Sequence, residues 1–67
     1  MNYLITFFHG KVSPIIVTGV KDYNDIHLSL KKYAEKQHTT LVRSTIVSDL
    51  KQYGTLVKIK ADELNNK

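Results

Sequence analysis

The stretch NYLITFFHGKVSPIIVTGV, residues 2–20, decides the fold. Residues 2–9 and 12–20 are two runs dominated by β-branched and aromatic side chains, the composition of strands. Gly10-Lys11 lies between them, and a glycine in so short a connection signals a hairpin. The adjacent Phe7 and Phe8 then pose a question, because neighbours on a strand point to opposite faces. Placing His9-Gly10 at the centre of the turn sets Phe7 opposite Val12, Ile5 opposite Pro14 and Tyr3 opposite Ile16. One face then carries Tyr3, Ile5, Phe7, Val12, Pro14 and Ile16, all apolar. The other carries Leu4, Thr6, Phe8, Lys11, Ser13 and Ile15, which is mixed. A turn at Gly10-Lys11 spreads the apolar residues over both faces. A slip of one residue exchanges the faces of a strand, so segregation favours the first register. Pro14 has no N–H to donate, which puts the second run on a sheet edge and the first in the interior. His9 would then hold a turn position with positive φ, a setting histidine tolerates better than bulky residues do.

Outward from the hairpin, residues 22–38, DYNDIHLSLKKYAEKQH, read as one helix. Asp22 or Asn24 can cap it, and Asp25 sits in the first turn, where the helix dipole favours negative charge. Tyr23, Ile26, Leu30, Tyr33, Ala34 and Gln37 fall on one stripe at helical spacing. Lys36 and His38 occupy the last turn, where positive charge is favoured. Leu28 points almost opposite to the stripe, among Lys31, Lys32 and Glu35, and is expected to be exposed.

Residues 40–48 read as a third strand, with apolar residues on both faces and hence an interior position. A competing reading starts a short helix near Ser44 and stops it at Gly54. The preferred reading runs the strand to about Ser48 and leaves 48–54 as a turn or one helical turn. Residues 55–61, TLVKIKA, alternate cleanly: Val57, Ile59 and Ala61 inward, Lys58 and Lys60 outward. Lysines on an exposed edge also oppose edge-to-edge aggregation. The order is ββαββ: an α+β two-layer sandwich, one helix packed on a small antiparallel sheet. The 67 residues make a single domain, 1–67, with 62–67 expected as a frayed tail.

Composition narrows the function. A domain this small buries about 60% of the surface its unfolded chain exposes, which leaves no room for a deep enclosed pocket. Cysteine is absent, excluding disulfides, thiolate zinc sites and a Cys nucleophile. Without such staples, and with no signal peptide before His9, a cytoplasmic location is expected. No apolar stretch approaches the roughly 18 residues of a membrane span. Ten Lys+Arg against six Asp+Glu give a net charge of +4, a mildly basic chain suited to acidic partners.

The chemistry-bearing residues form no recognisable constellation. His9, His27 and His38 match no zinc spacing. Ser13, Ser29, Ser44 and Ser48 lie in no nucleophile elbow. The acids Asp22, Asp25, Glu35, Asp49, Asp62 and Glu63 are scattered, and three glycines cannot build a phosphate-cradling loop. No enzyme, metal or cofactor is expected. For nucleic acid, a single arginine among ten basic residues is a poor endowment. Nothing resembles an RNA-recognition strand either.

The layout itself resembles small accessory proteins of bacteriophages. It is similar to that of a phage-encoded inhibitor family of bacterial RNA polymerase. The comparable parts are YLITFFHGKVSPIIV, DIHLSLKKYAEKQ and TLVRSTIV, within residues 3–47; TLVKIKA extends beyond them. The resemblance implies a protein that binds and modulates a host factor, in the bacterial cytoplasm, and carries over no functional residue.

The expectation is therefore a non-enzymatic binding protein that docks on another protein, a host factor or a second copy of itself. One helix covers one sheet face, leaving Leu4, Phe8 and Ile15 on the other and Leu28 on the outer side of the helix. Exposed apolar patches of that kind mark interaction sites. Lys31, Lys32, Lys58 and Lys60 would steer an acidic partner. The alternatives are a small basic nucleic-acid-binding regulator, and a homo-oligomer that uses the sheet face as its own interface.

Overall fold

The computed structural model describes residues 1–8 and 12–66. Among the described residues, four strands and two helices follow in the order β1 (Asn2–Phe7), β2 (Ile15–Thr18), α1 (Asn24–Lys36), β3 (Leu41–Val47), β4 (Val57–Lys60) and α2 (Ala61–Asn65). A 3-10 turn, Leu50–Tyr53, interrupts the connection from β3 to β4. The expected ββαββ sandwich of one long helix on a small sheet is present, and 48–54 resolve as one short helical turn.

The sheet order is β3-β1-β2-β4. β1 runs antiparallel to both β2 and β3, but β2 and β4 pair in parallel, so the sheet is mixed rather than wholly antiparallel. Two expected positions change accordingly. β2 is interior, not an edge, because Pro14 precedes its first residue and its missing N–H removes nothing from the ladder. β3 is an edge, not interior, although apolar residues lie on both of its faces.

The hairpin register also differs. Tyr3 pairs with Val17, Leu4 with Ile16 and Ile5 with Ile15, one residue away from the expected pairing. That shift exchanges the faces of β2. Ile15 and Val17 join Tyr3, Ile5 and Phe7 in the core beneath α1, and Ile16 takes the opposite face. The expected register assumed a two-residue turn at His9-Gly10, which lies outside the described residues. Seven residues separate the end of β1 at Phe7 from the start of β2 at Ile15. Burial decides it instead: Ile15 and Val17 are 2% and 0% exposed.

The core lies between the sheet and α1, where Ile26, Leu30 and Ala34 meet Ile5, Ile15 and Val17. Tyr23 and Tyr33 flank it, stacking at a tilt on Tyr3 and Phe7 with centroids 5.3 and 5.5 Å apart. Asp22 starts the helix: its Oδ1 accepts from the Asn24 N–H at 3.0 Å and its carbonyl from Asp25. At the other end His38 adopts φ 58°. The His38 N–H then reaches the Glu35 carbonyl and the Thr39 N–H that of Ala34, satisfying two helix-end carbonyls.

The stretch 62–67, expected to fray, instead contributes most of α2, Ala61–Asn65, with Ala61 and Leu64 buried in the same core. The Ser29 hydroxyl donates to Asn65 Oδ1 at 2.6 Å and ties α2 to α1.

The second sheet face is covered too. β2, β3 and β4 are mutually parallel, with α1 carrying the chain from β2 leftward to β3. The step from β3 to β4 runs the opposite way across the sheet. Right-handed crossovers in both steps require it to pass over the other face. Two observations agree. Ile16, on that face, is 0% exposed yet stands outside the main core cluster. Lys58, paired with Ile16 on the same face, donates from Nζ to the Tyr53 and Leu56 carbonyls at 3.3 and 3.5 Å. The crossing contributes half-buried Leu50, Tyr53 and Leu56.

Candidate functional site

The residues expected to form one docking face are not gathered. Ile15 is buried in the core beneath α1, because of the register shift, and is not a surface residue. Leu4 is half-buried on the face that the 48–56 crossing covers. Phe8 is 54% exposed just beyond β1; its N–H donates to the Thr40 carbonyl at 2.9 Å and its carbonyl accepts from the Thr39 hydroxyl. Leu28 is 70% exposed on the outer side of α1, as its place opposite the apolar stripe requires. Lys31 and Lys32 accompany it there, whereas Lys58 and Lys60 belong to β4 on the far edge of the sheet. The four lysines therefore divide between α1, beside Leu28, and β4.

The structure places a different feature at the β3 edge. An open cleft of about 710 Å³ lies between α1 and β3, with Tyr3, Tyr23, Ala34 and Leu41 among its lining and Lys31 and Arg43 along it. Tyr23 is its hub. The Tyr23 hydroxyl lies 2.7 Å from Ser44 Oγ and 3.3 Å from His27 Nδ1. The Tyr23 and His27 rings also stack at a tilt, 5.5 Å between centroids. Spacing of four residues along α1 puts these two side chains on one face. That pairing was legible in the sequence, but Ser44 reaches it only through the sheet.

The chain Ser44–Tyr23–His27 sets the serine against a phenol and the imidazole one step further away. Direct contact between nucleophile and base, the geometry of an activated serine, is not formed. Among the described residues no group of three or more His, Cys, Asp or Glu side chains stands close enough to hold a metal. The network fastens α1 to the edge strand and leaves the strand's outer side open.

That outer side is apolar. Val42 and Ile46 are 56% and 61% exposed. The pairing between β1 and β3 shifts between Thr6 and Phe7, which makes Val42 a bulge residue. Met1 and Val20 exchange both backbone bonds, with Gly19 at φ 70° turning the chain beside them. Odd residues of β1 therefore aim their backbone groups at β2 and even residues at β3. Phe8, an even position, agrees by donating to Thr40. On β3, Arg43 and Thr45 consequently face β1, while Ser44 and Ile46 aim their N–H and C=O groups away from the sheet.

Comparison with known proteins gives little beyond this. No family model matches the chain. No solved structure matches it. Among curated proteins, 60 residues are 33% identical to CBY1-interacting BAR domain-containing protein 1 of mouse. The match covers 90% of this chain and 21% of that protein, so the chain spans about a fifth of its relative's length. The resemblance in layout to phage inhibitors of RNA polymerase is not upheld: the similarity found is to this mouse protein. Among the described residues, no helix is long and apolar enough to cross a membrane.

Proposed function

We propose that this chain is a non-enzymatic binding module that acts by docking on another protein. The observation that carries the reading is the β3 edge, where exposed Val42 and Ile46 flank outward-aimed backbone groups beside an open cleft. Such an edge is a template for pairing with another chain unless something covers it. The partial mouse relative, named for an interaction with another protein, supports the same class. Leu4 is half-buried and Ile15 is in the core, so this reading rests on β3 instead.

The test is affinity capture with the wild-type chain as bait beside an Ile46→Lys bait shown by circular dichroism to be folded. Wild type retains a protein that the variant loses. A wild-type bait that retains nothing from any cell extract, under mild wash conditions, overturns the reading.

A further inference from the structure

We infer that the occupant of the β3 edge is an extended acidic peptide segment of a partner, added to the sheet as a fifth strand. This deepens the docking reading and rests on it.

Strand addition needs unpaired backbone groups, an accessible edge and room for side chains on both faces of the incoming strand. The edge supplies all three. Ser44 and Ile46 aim N–H and C=O groups outward. Among the described residues none of these groups has a partner, and β3 is seven residues long, enough for several ladder bonds. On the α1 side the cleft receives every second side chain of the guest, beside Val42 and Ile46 and over Tyr23 and Leu41. Those guest positions are apolar, because cross-strand apolar pairs contribute to sheet stability.

The alternate guest positions lie on the other face, with Arg43 and Thr45. Here the charge decides. Arg43, paired with Thr6, is the charged side chain of β3 and stands on this face. Among the described residues Arg43 has no ion-pair partner. A like charge set directly across a strand pair is unfavourable and an opposite one favourable, so the position opposite Arg43 takes Asp or Glu. The recognised segment thus sets an acidic residue between apolar ones. A second copy of this chain fits less well, because it brings Arg43 and an overall charge of +4 to an edge already positive.

The experiment uses the full chain and a blocked peptide of about six residues alternating valine and glutamate, with its valine–lysine counterpart and a glutamate version carrying a central proline. Nuclear magnetic resonance follows the amides. The acidic peptide is expected to slow exchange at Ser44 and Ile46 by about tenfold or more, leaving Arg43 and Thr45 little changed. Binding weakens several-fold between ~50 and ~200 mM salt, as rim charges are screened. The lysine and proline peptides do not protect the edge. Arg43→Glu reverses the preference between acidic and basic peptides while the fold persists. No protection by the acidic peptide at millimolar concentration overturns the proposal, as does binding that leaves Ser44 and Ile46 unprotected. Concentration-dependent protection without peptide also overturns it, since a second copy then occupies the edge. A protein captured from extract whose binding leaves the β3 amides unprotected sinks strand addition alone; capture of nothing sinks the docking reading.

Discussion

The two edges of this sheet are finished in opposite ways. β4 is four residues long, carries Lys58 and Lys60, and runs directly into α2, whose Ala61 and Leu64 anchor it in the core. β3 is seven residues long and carries one charge, Arg43, with Val42 and Ile46 exposed. Short strands, lysines and a covering element are the devices by which proteins keep an edge from recruiting other chains. β4 has all three. β3 has only its bulge at Val42, which bends the strand without closing it. Both edges belong to one small sheet under the same risk of aggregation, so the open edge reads as retained for use.

The contrast can be broken at the crossing that joins the edges. Ile16→Ala removes the side chain that the 48–56 segment encloses, and a loss of about 3 kcal/mol is expected from urea denaturation. A loss below ~1 kcal/mol would mean that Ile16 is not enclosed and that the second face is open after all. Next comes the guard of β4. Leu64→Ala should cost about 2 kcal/mol and speed amide exchange in β4 more than in β3. Equal acceleration at both edges would remove α2 from its anchoring role. Tyr23→Phe deletes the hydroxyl between Ser44 and His27 at a cost of about 1 kcal/mol, and loosens β3 against α1. An unchanged melting curve and unchanged β3 exchange would show that the network holds nothing. Smallest in stability is Ile46→Lys, within about 0.5 kcal/mol of wild type, which gives β3 the lysine that β4 already has. Its effect appears in association, as reduced partner capture and less aggregation on heating; unaltered capture would break the comparison.

Much of the architecture was legible from local pattern. The helix announced itself by the spacing of Ile26, Leu30 and Ala34, and the same geometry put Leu28 in solvent. β3 and the turn after it follow from composition. Sheet order was harder, because it depends on partners distant in sequence. Pro14 signals an edge only inside a strand, and it lies one residue before this one. Apolar residues on both faces of β3 suggest burial on both sides, but such a run does not distinguish a strand that is covered from one left open. The register hung on an assumed tight turn, and a one-residue difference moved Ile15 from candidate surface to core. α2 was hidden by its polar letters, since Ala61 and Leu64 alone, three residues apart, give no periodicity. The site was half visible: Tyr23 and His27 share a helix face by spacing, but Ser44 arrives from a strand.

The parallel pairing of β2 with β4 has a consequence for how the chain is made. Thr18 meets Lys60, and Ile15 meets Val57, each 42 residues later. At about 5–20 residues per second, a ribosome needs roughly 2–8 s to add that length. Throughout that interval the Ile15-Ile16-Val17 run, destined for the interior of the sheet, is itself an unfinished edge. Pro14, immediately before it, then acts as a gatekeeper that interrupts any intermolecular ladder forming on the nascent chain.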